Sequence, residues 1–236
     1  MNPLDPNITE LEGTLSYELP GGGRALFTTL ARGNLSTLRG DHHERGRQAR
    51  ERLCEDLGLQ WLCASRQVHG TAVQRVRRPG GVGGQAVAID ADGHATALPG
   101  VGVMVLTADC LPVALGSQGA VAMLHAGWRG LAAGVLDKGV RALRDVGGAG
   151  PITAVIGPGA GVCCYEVGPE VHAVFGDAHR DGRHIDLAAI ARERLLAAGV
   201  AEVADARMCT ICDQRFFSHR RQGARAGRQA GVAWLS

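Results

Sequence analysis

Apolar residues fall in short runs along this chain, and most runs close on Gly, Pro or a polar cluster. The two most apolar runs are residues 101–106 and 119–124. The first ends on Thr107-Ala108-Asp109-Cys110, the second on His125-Ala126-Gly127-Trp128-Arg129-Gly130. An apolar stretch at 61–64 leads in the same way into Arg66-Gln67-Val68-His69-Gly70. Runs of this length bounded by turn residues predict buried strands. Further strands are expected at 25–28, after the Gly21-Gly22-Gly23 turn, and at 61–68, 71–76, 151–156, 202–206 and 230–235.

Helical spacing appears in four places. Residues 43–57 are rich in Arg and Glu, are weakened by Gly46 and stop at Gly58. Residues 131–144 place Leu136, Val140 and Leu143 on one face, with Gly134 and Gly139 permitting close packing on a sheet. Residues 168–175 form a short helix. Residues 186–198 have the strongest signal: Asp186 caps the first turn, Leu187, Ile190, Ala191 and Leu195 line one face, and Gly199 stops it. Residues 31–41 and the Pro/Gly stretch 78–84 read as loops, and 90–96 (DADGHAT) as a polar turn. No repeat or linker divides the chain. The pattern predicts a single α+β domain over residues 1–236 with a mixed sheet.

A hydrophobic share of 45% supports a real core, and a net charge of +2 gives no long-range field for nucleic acid. The local basic run Arg215, Arg220, Arg221, Arg225 and Arg228 reads as a solvated or anion-facing surface. The opening Met1-Asn2-Pro3-Leu4-Asp5 has no signal-peptide pattern, and no apolar run approaches the roughly 20 residues of a membrane span. Seven cysteines without an export signal point to reduced thiols, hence a cytoplasmic protein with no membrane partner. A monomer or weak homodimer is expected.

Strand ends present side chains where the backbone leaves the sheet. His69, Cys110 and His125 stand at three such ends. Two imidazoles and a thiol are a zinc-type donor set, and three protein ligands leave a position open for water or substrate. The same residues admit a Cys110 nucleophile with His125 as base, oriented by Asp109 or His69. Arg129, four residues after His125, suits phosphate. Cys209-Thr210-Ile211-Cys212 is a C-x-x-C, but Cys163-Cys164 is adjacent rather than spaced, so buried thiols are expected there. Gly157-Pro158-Gly159-Ala160-Gly161 lacks both dinucleotide and P-loop signatures and reads as a tight turn.

QVHG (67–70), ADCLPV (108–113), HAGWRG (125–130), CCYEVG (163–168) and FFSHRR (216–221) occur here in one order. In this the chain resembles the laccase-domain family, also labelled multicopper polyphenol oxidase and peptidoglycan editing factor. Better characterised members of that family are zinc-containing purine nucleoside phosphorylases with adenosine deaminase and methylthioadenosine phosphorylase activity. The resemblance implies a compact α/β sandwich, a central mixed sheet flanked by helices, related to the deamidase domain of cytotoxic necrotizing factor. It implies zinc at His69, Cys110 and His125, and a purine nucleoside and phosphate as substrates bound by Arg129 and Arg50. Asp109 and Glu166 are candidates for the general acid. The chain departs from the family at Ala49, where an Asn is usual, in a shortened stretch before Asn34, and at Asp41-His42, where paired acidic residues are usual. A copper oxidase of the blue type needs a histidine-rich trinuclear cluster, and the nine histidines here include no His-x-His pair, so copper is disfavoured.

Overall fold

The computed structural model describes residues 5–37, 42–78, 87–177 and 179–236. Most of the 78–84 loop, Asp41 and Met1–Leu4 lie outside the described residues. The first strands are β1 (Thr9–Leu11), β2 (Thr14–Leu19), β3 (Gly23–Thr28), β4 (Trp61–Cys63), β5 (Ser65–Arg66), β6 (Val73–Val76) and β7 (Val87–Asp90). The middle of the chain gives β8 (Gly93–Thr96), β9 (Val101–Thr107), β10 (Leu111–Gln118), β11 (Ala120–Ala126) and β12 (Ala149–Ile156). The rest are β13 (Arg180–Asp181), β14 (His184–Ile185), β15 (Glu202–Asp205) and β16 (Gln229–Leu235). Helices are α1 (His42–Asp56), α2 (Trp128–Ala133), α3 (Val135–Asp145), α4 (Pro169–Phe175), α5 (Leu187–Ala197) and α6 (His219–Gln222). Among the described residues no helix is long and apolar enough to cross a membrane.

The α+β sandwich expected from the sequence is present, built on two mixed sheets where one was foreseen. The first has the order β1-β2-β3-β16-β9-β4, the second β15-β12-β10-β11-β8-β6. Each is antiparallel through its middle and ends on a parallel pair, β4 on β9 in one, β6 on β8 and β15 on β12 in the other. Strand alternation decides which side chains meet. Val103, Val105 and Ala233 of the first sheet face Ala114, Val121, Met123 and Val155 of the second, with Leu15 and Phe27 completing the inner core. The outer face of the first sheet (Leu62, Met104, Val232) is covered by Ala49 and Leu53 of α1. The outer face of the second (Val113, Leu115, Leu124) is covered by Leu136 and Leu143 of α3 and Ile190 and Leu195 of α5. One hydrophobic period per strand therefore serves two different cores.

Three local differences from the sequence reading have physical causes. The helix expected over 131–144 breaks into α2 and α3 at Gly134, whose φ of 91° lies in the left-handed region. Residues 93–96 form a buried strand rather than a turn, because their polar groups find partners. Thr96 Oγ1 donates to Val76 O, and His94 Nε2 pairs with Ser65 Oγ. Residues 111–118 add the central strand β10, with Pro112 near its start, where a missing N–H interrupts the ladder least. The caps and face of α5 are as the sequence indicates, with Asp186 accepting from Ala189 N at 2.9 Å.

Candidate metal centre and active site

Thr107 closes β9, Leu111 opens β10 and Ala126 closes β11, so the polar clusters after or beside these strands meet at one end of the sandwich. His125 lies on β11 opposite Pro112, on the inner-face register of Val121 and Met123. Cys110 immediately precedes β10. His69 reaches them from the loop between β5 and β6. The ligand atoms of His69, Cys110 and His125 lie within 4.8 Å of one another, with Cys110 Sγ 3.8 Å from His69 Nε2. The two imidazoles meet edge-on, their centroids 4.9 Å apart. His125 is buried, Cys110 half-buried and His69 exposed, so the group faces outward on one side.

The residue that organises this trio is Asp92, hidden in the sequence within the polar stretch 90–96, whose composition suggests only a turn. It is fully buried at the start of β8. One oxygen meets His125 Nδ1 at 2.8 Å and His69 N at 2.9 Å; the other accepts from Gly70 N at 2.7 Å and Val68 N at 3.2 Å. One carboxylate thus fixes the ring of one ligand and the backbone turn carrying another. That turn needs fixing: His69 has φ 59°, a strained conformation for a residue with a Cβ. An acidic residue just ahead of a strand beside the histidine strand was the only signal in the sequence.

Asp109, also left-handed at φ 88°, is committed elsewhere. Its carboxylate accepts from Thr210 Oγ1 at 2.7 Å, Ser218 Oγ at 3.2 Å and Arg220 N at 2.7 Å. It therefore anchors the loops beside Cys110 and does not orient His125. Glu166 is ion-paired with Arg183 at the surface. Gly127 of HAGWRG permits the close approach: a Cβ there would stand 2.8 Å from His69 Cδ2 and 3.0 Å from Cys110 Sγ.

Electrostatics follow from this packing. Burial works to raise the Cys110 thiol, yet the charge and hydrogen bonds of His125 and His69 bring it down to about 6. Burial works to lower His125, but the Cys110 sulfur and Asp92 carry it up to about 9. Burial likewise opposes ionisation of Asp92, and its hydrogen bonds to His125, Gly70 and Val68 hold it below the ordinary value all the same. A thiolate, one imidazole locked through Nδ1 and a second imidazole on an open side fit a divalent metal of zinc type, with the Asp92–His125 contact as the usual outer support of a histidine ligand.

The two arginines separate. Arg129, exposed at the start of α2, stacks its guanidinium 4.2 Å over the Trp128 ring. Arg50 is buried in α1, where its Nε donates to Leu35 O at 2.9 Å, and burial pushes it down to about 10. The basic C-terminal run also divides. Arg221 is spent on the carbonyls of Thr210, Ile211 and Phe216, and Arg215 on Asp213 and Glu10. Arg220 lies 5.1 Å over Tyr165 and lines a pocket of about 410 Å³ with Arg180, Arg183, Glu166 and His172. The 157–161 turn offers no phosphate cradle, because Gly157, Gly159 and Ala160 donate their N–H groups to Pro112, Met208 and Asp109 carbonyls.

One expectation fails outright. Cys163 and Cys164, set aside because they are adjacent, converge with Cys209 and Cys212; all four sulfurs lie within 4.8 Å of one another. Adjacency excludes nothing here, since residues 162–164 form a turn that presents both side chains to the same partner loop.

Comparison with known proteins shows the family. A protein of Xylella fastidiosa (strain Temecula1), named purine nucleoside phosphorylase, is 41% identical over 238 residues, covering 92% of this chain and 88% of its own length. A Pseudomonas aeruginosa protein of the same name is 36% identical over 252 residues, covering 100% of this chain and 98% of its own. A crystal structure of a Neisseria meningitidis protein superposes with a TM-score of 0.79 at 32% identity, over 98% of this chain and 99% of that one. The structure of YlmD from Geobacillus stearothermophilus gives 0.80 at 29% identity, over 96% and 97%. Residues 22–236 match the model of the family described as multi-copper polyphenol oxidoreductase laccase, and the chain belongs to that family.

Proposed function

We infer that this chain is a metal-dependent purine nucleoside phosphorylase that also deaminates adenosine and cleaves methylthioadenosine. The observation that carries this reading is the convergence of His69, Cys110 and His125 around Asp92, in a chain whose relatives are named for that phosphorylase activity. We assign zinc to these three residues, a reading that two imidazoles and a thiol support. When bound, zinc supplies Lewis-acid polarisation of an oxygen at the open side of the site.

The chain's own residues do the rest. Asp92 holds His125 with Nδ1 inward, so Nε2 is the atom turned toward Cys110 and the open side. Arg129, exposed at the start of α2, binds phosphate. In phosphorolysis an oxygen of hydrogen phosphate bonds to C1′ as the C1′–N9 bond breaks; the purine keeps the electron pair and takes up the proton that the phosphate gives up. Asp109 positions Cys110 through the three hydrogen bonds that its carboxylate accepts. Deamination replaces the amino group at C6 by water oxygen and releases ammonia.

The test is metal-quantified protein incubated with adenosine and phosphate, with adenine, hypoxanthine and inosine separated by chromatography. Product lost on chelation and in Cys110→Ala is expected. Metal-loaded protein giving no product from adenosine, inosine or methylthioadenosine overturns the reading. One observation favours a second reading: Cys110, His125 and Asp92 also have the order of a thiol hydrolase triad, with the aspartate on Nδ1. A Cys–His amidase acting on a peptidoglycan precursor would survive chelation and die on alkylation.

A further inference from the structure

Four cysteines that the proposed reaction does not use meet at a second place in the fold. We propose that Cys163, Cys164, Cys209 and Cys212 form a closed tetrathiolate site for one zinc ion. Their sulfurs lie within 4.8 Å of one another, with Cys163 and Cys212 at 3.3 Å and Cys164 and Cys212 at 2.6 Å. A tetrahedral zinc with Zn–S of about 2.3 Å sets its sulfurs about 3.8 Å apart, so small side-chain rotations place all four on one ion. The group contains no histidine and no carboxylate, and an all-sulfur tetrahedral set selects zinc or iron over hard cations.

The surroundings are built for it. Cys209 Sγ accepts the Gly161 N–H at 3.2 Å, and the N–H groups of Ile211 and Cys212 turn toward the same sulfur. Such donors stabilise a thiolate without adding a charge. Gly161 allows the contact, since a Cβ there would stand 3.0 Å from Cys209 Cβ, 3.4 Å from its sulfur and 3.5 Å from Cys163 Sγ. The two cysteine loops are stitched by backbone, Gly159 N to Met208 O and Thr210 N to Gly159 O, and each closes its own turn, Asp213 N on Cys209 O and Cys164 N on Gly161 O. Cys163 and Cys212 are exposed, which leaves a path for the ion to enter.

This site reaches the first one through a single residue. Thr210, between Cys209 and Cys212, donates to Asp109 Oδ1, and Ala160 N donates to Asp109 O at 2.7 Å. Both loops that carry the thiolates therefore also hold the residue beside Cys110. A zinc closing them is a staple behind the Cys110 turn.

The experiment uses the full chain, purified under reductant, stripped by chelator and reloaded with Zn²⁺ or Co²⁺. Wild type binds two equivalents of Zn²⁺. Cys212→Ser binds one, Cys110→Ala binds one, and the double variant binds none. Co²⁺ in Cys110→Ala gives sulfur-to-metal charge-transfer bands and intense tetrahedral d–d bands, which vanish in the double variant while its far-ultraviolet dichroism is unchanged. Cys163→Ser serves as the second single variant if Cys212→Ser fails to fold. Four thiols that titrate freely in Zn²⁺-treated Cys110→Ala overturn the proposal, as does a Cys164–Cys212 disulfide found by mass spectrometry in metal-free protein kept under reductant.

Discussion

Asp92→Asn separates a metal centre organised from behind from one held by its ligands alone. The carboxylate accepts four hydrogen bonds, two on each oxygen. An amide keeps one oxygen, so two donors lose their acceptor and face an NH₂ group in a fully buried place. Each charge-assisted bond is worth about 1.5–3 kcal/mol, and the loss of two sums to about 3–6 kcal/mol. For a chain of this size each kcal/mol lowers Tm by about 2–4 °C, so the metal-free variant melts roughly 10 °C below wild type. Freed of its anchor, His125 also binds metal more weakly, by about 10–100-fold. Thermal unfolding in chelator and a competition titration of Zn²⁺ measure the two effects separately. Asp90→Asn is the control: two residues away, exposed and paired with Arg66, it leaves both readings unmoved. A variant at position 92 that melts within about 2 °C of wild type and keeps metal affinity within about threefold would refute the reasoning.

Other expectations follow from the same geometry. In metal-free protein, alkylation of Cys110 reaches half its plateau rate near pH 6, not near 9, and added Zn²⁺ suppresses it. The thiol's folded value is lowered and that of His125 is raised to about 9, so folding only moves one proton from sulfur to ring. This pair consequently adds no slope to stability between about pH 6.5 and 9, measurable by urea unfolding across that range. Asp92, held below its ordinary 3.8, contributes stability present above that value and lost as pH falls through its folded value, so metal-free Asp92→Asn shows a shallower acid transition than wild type. Gly127→Ala drives a Cβ against His69 and Cys110; it costs about 1–3 kcal/mol and lowers metal occupancy at this site, read by metal analysis in a Cys212→Ser background. Thr210→Val removes one bond to Asp109, costs about 1–2 kcal/mol and slows turnover more than it raises KM.

What the sequence by itself determined is local. The short apolar runs, the Gly breaks and the Asp186 cap place many of the strands and α5 near their observed bounds, because these signals come from neighbours in the chain. The motifs at three strand ends also mark His69, Cys110 and His125, since a strand end is where a side chain leaves the core. Tertiary structure decided what depends on partners distant in sequence. Polar residues 92–96 entered a buried strand only because Val76, Ser65 and the 68–70 backbone supply their hydrogen bonds. Two sheets arose where one was expected, because an all-apolar run does not say which of its faces meets a helix and which meets another sheet. Asp92 holds the orienting place that the sequence offered to Asp109, for adjacency to Cys110 gives no distance to His125. Cys163 and Cys164 became partners of a loop more than forty residues away through turns that no spacing rule encodes. Chain neighbours set the elements and their ends; contacts across the fold set the chemistry.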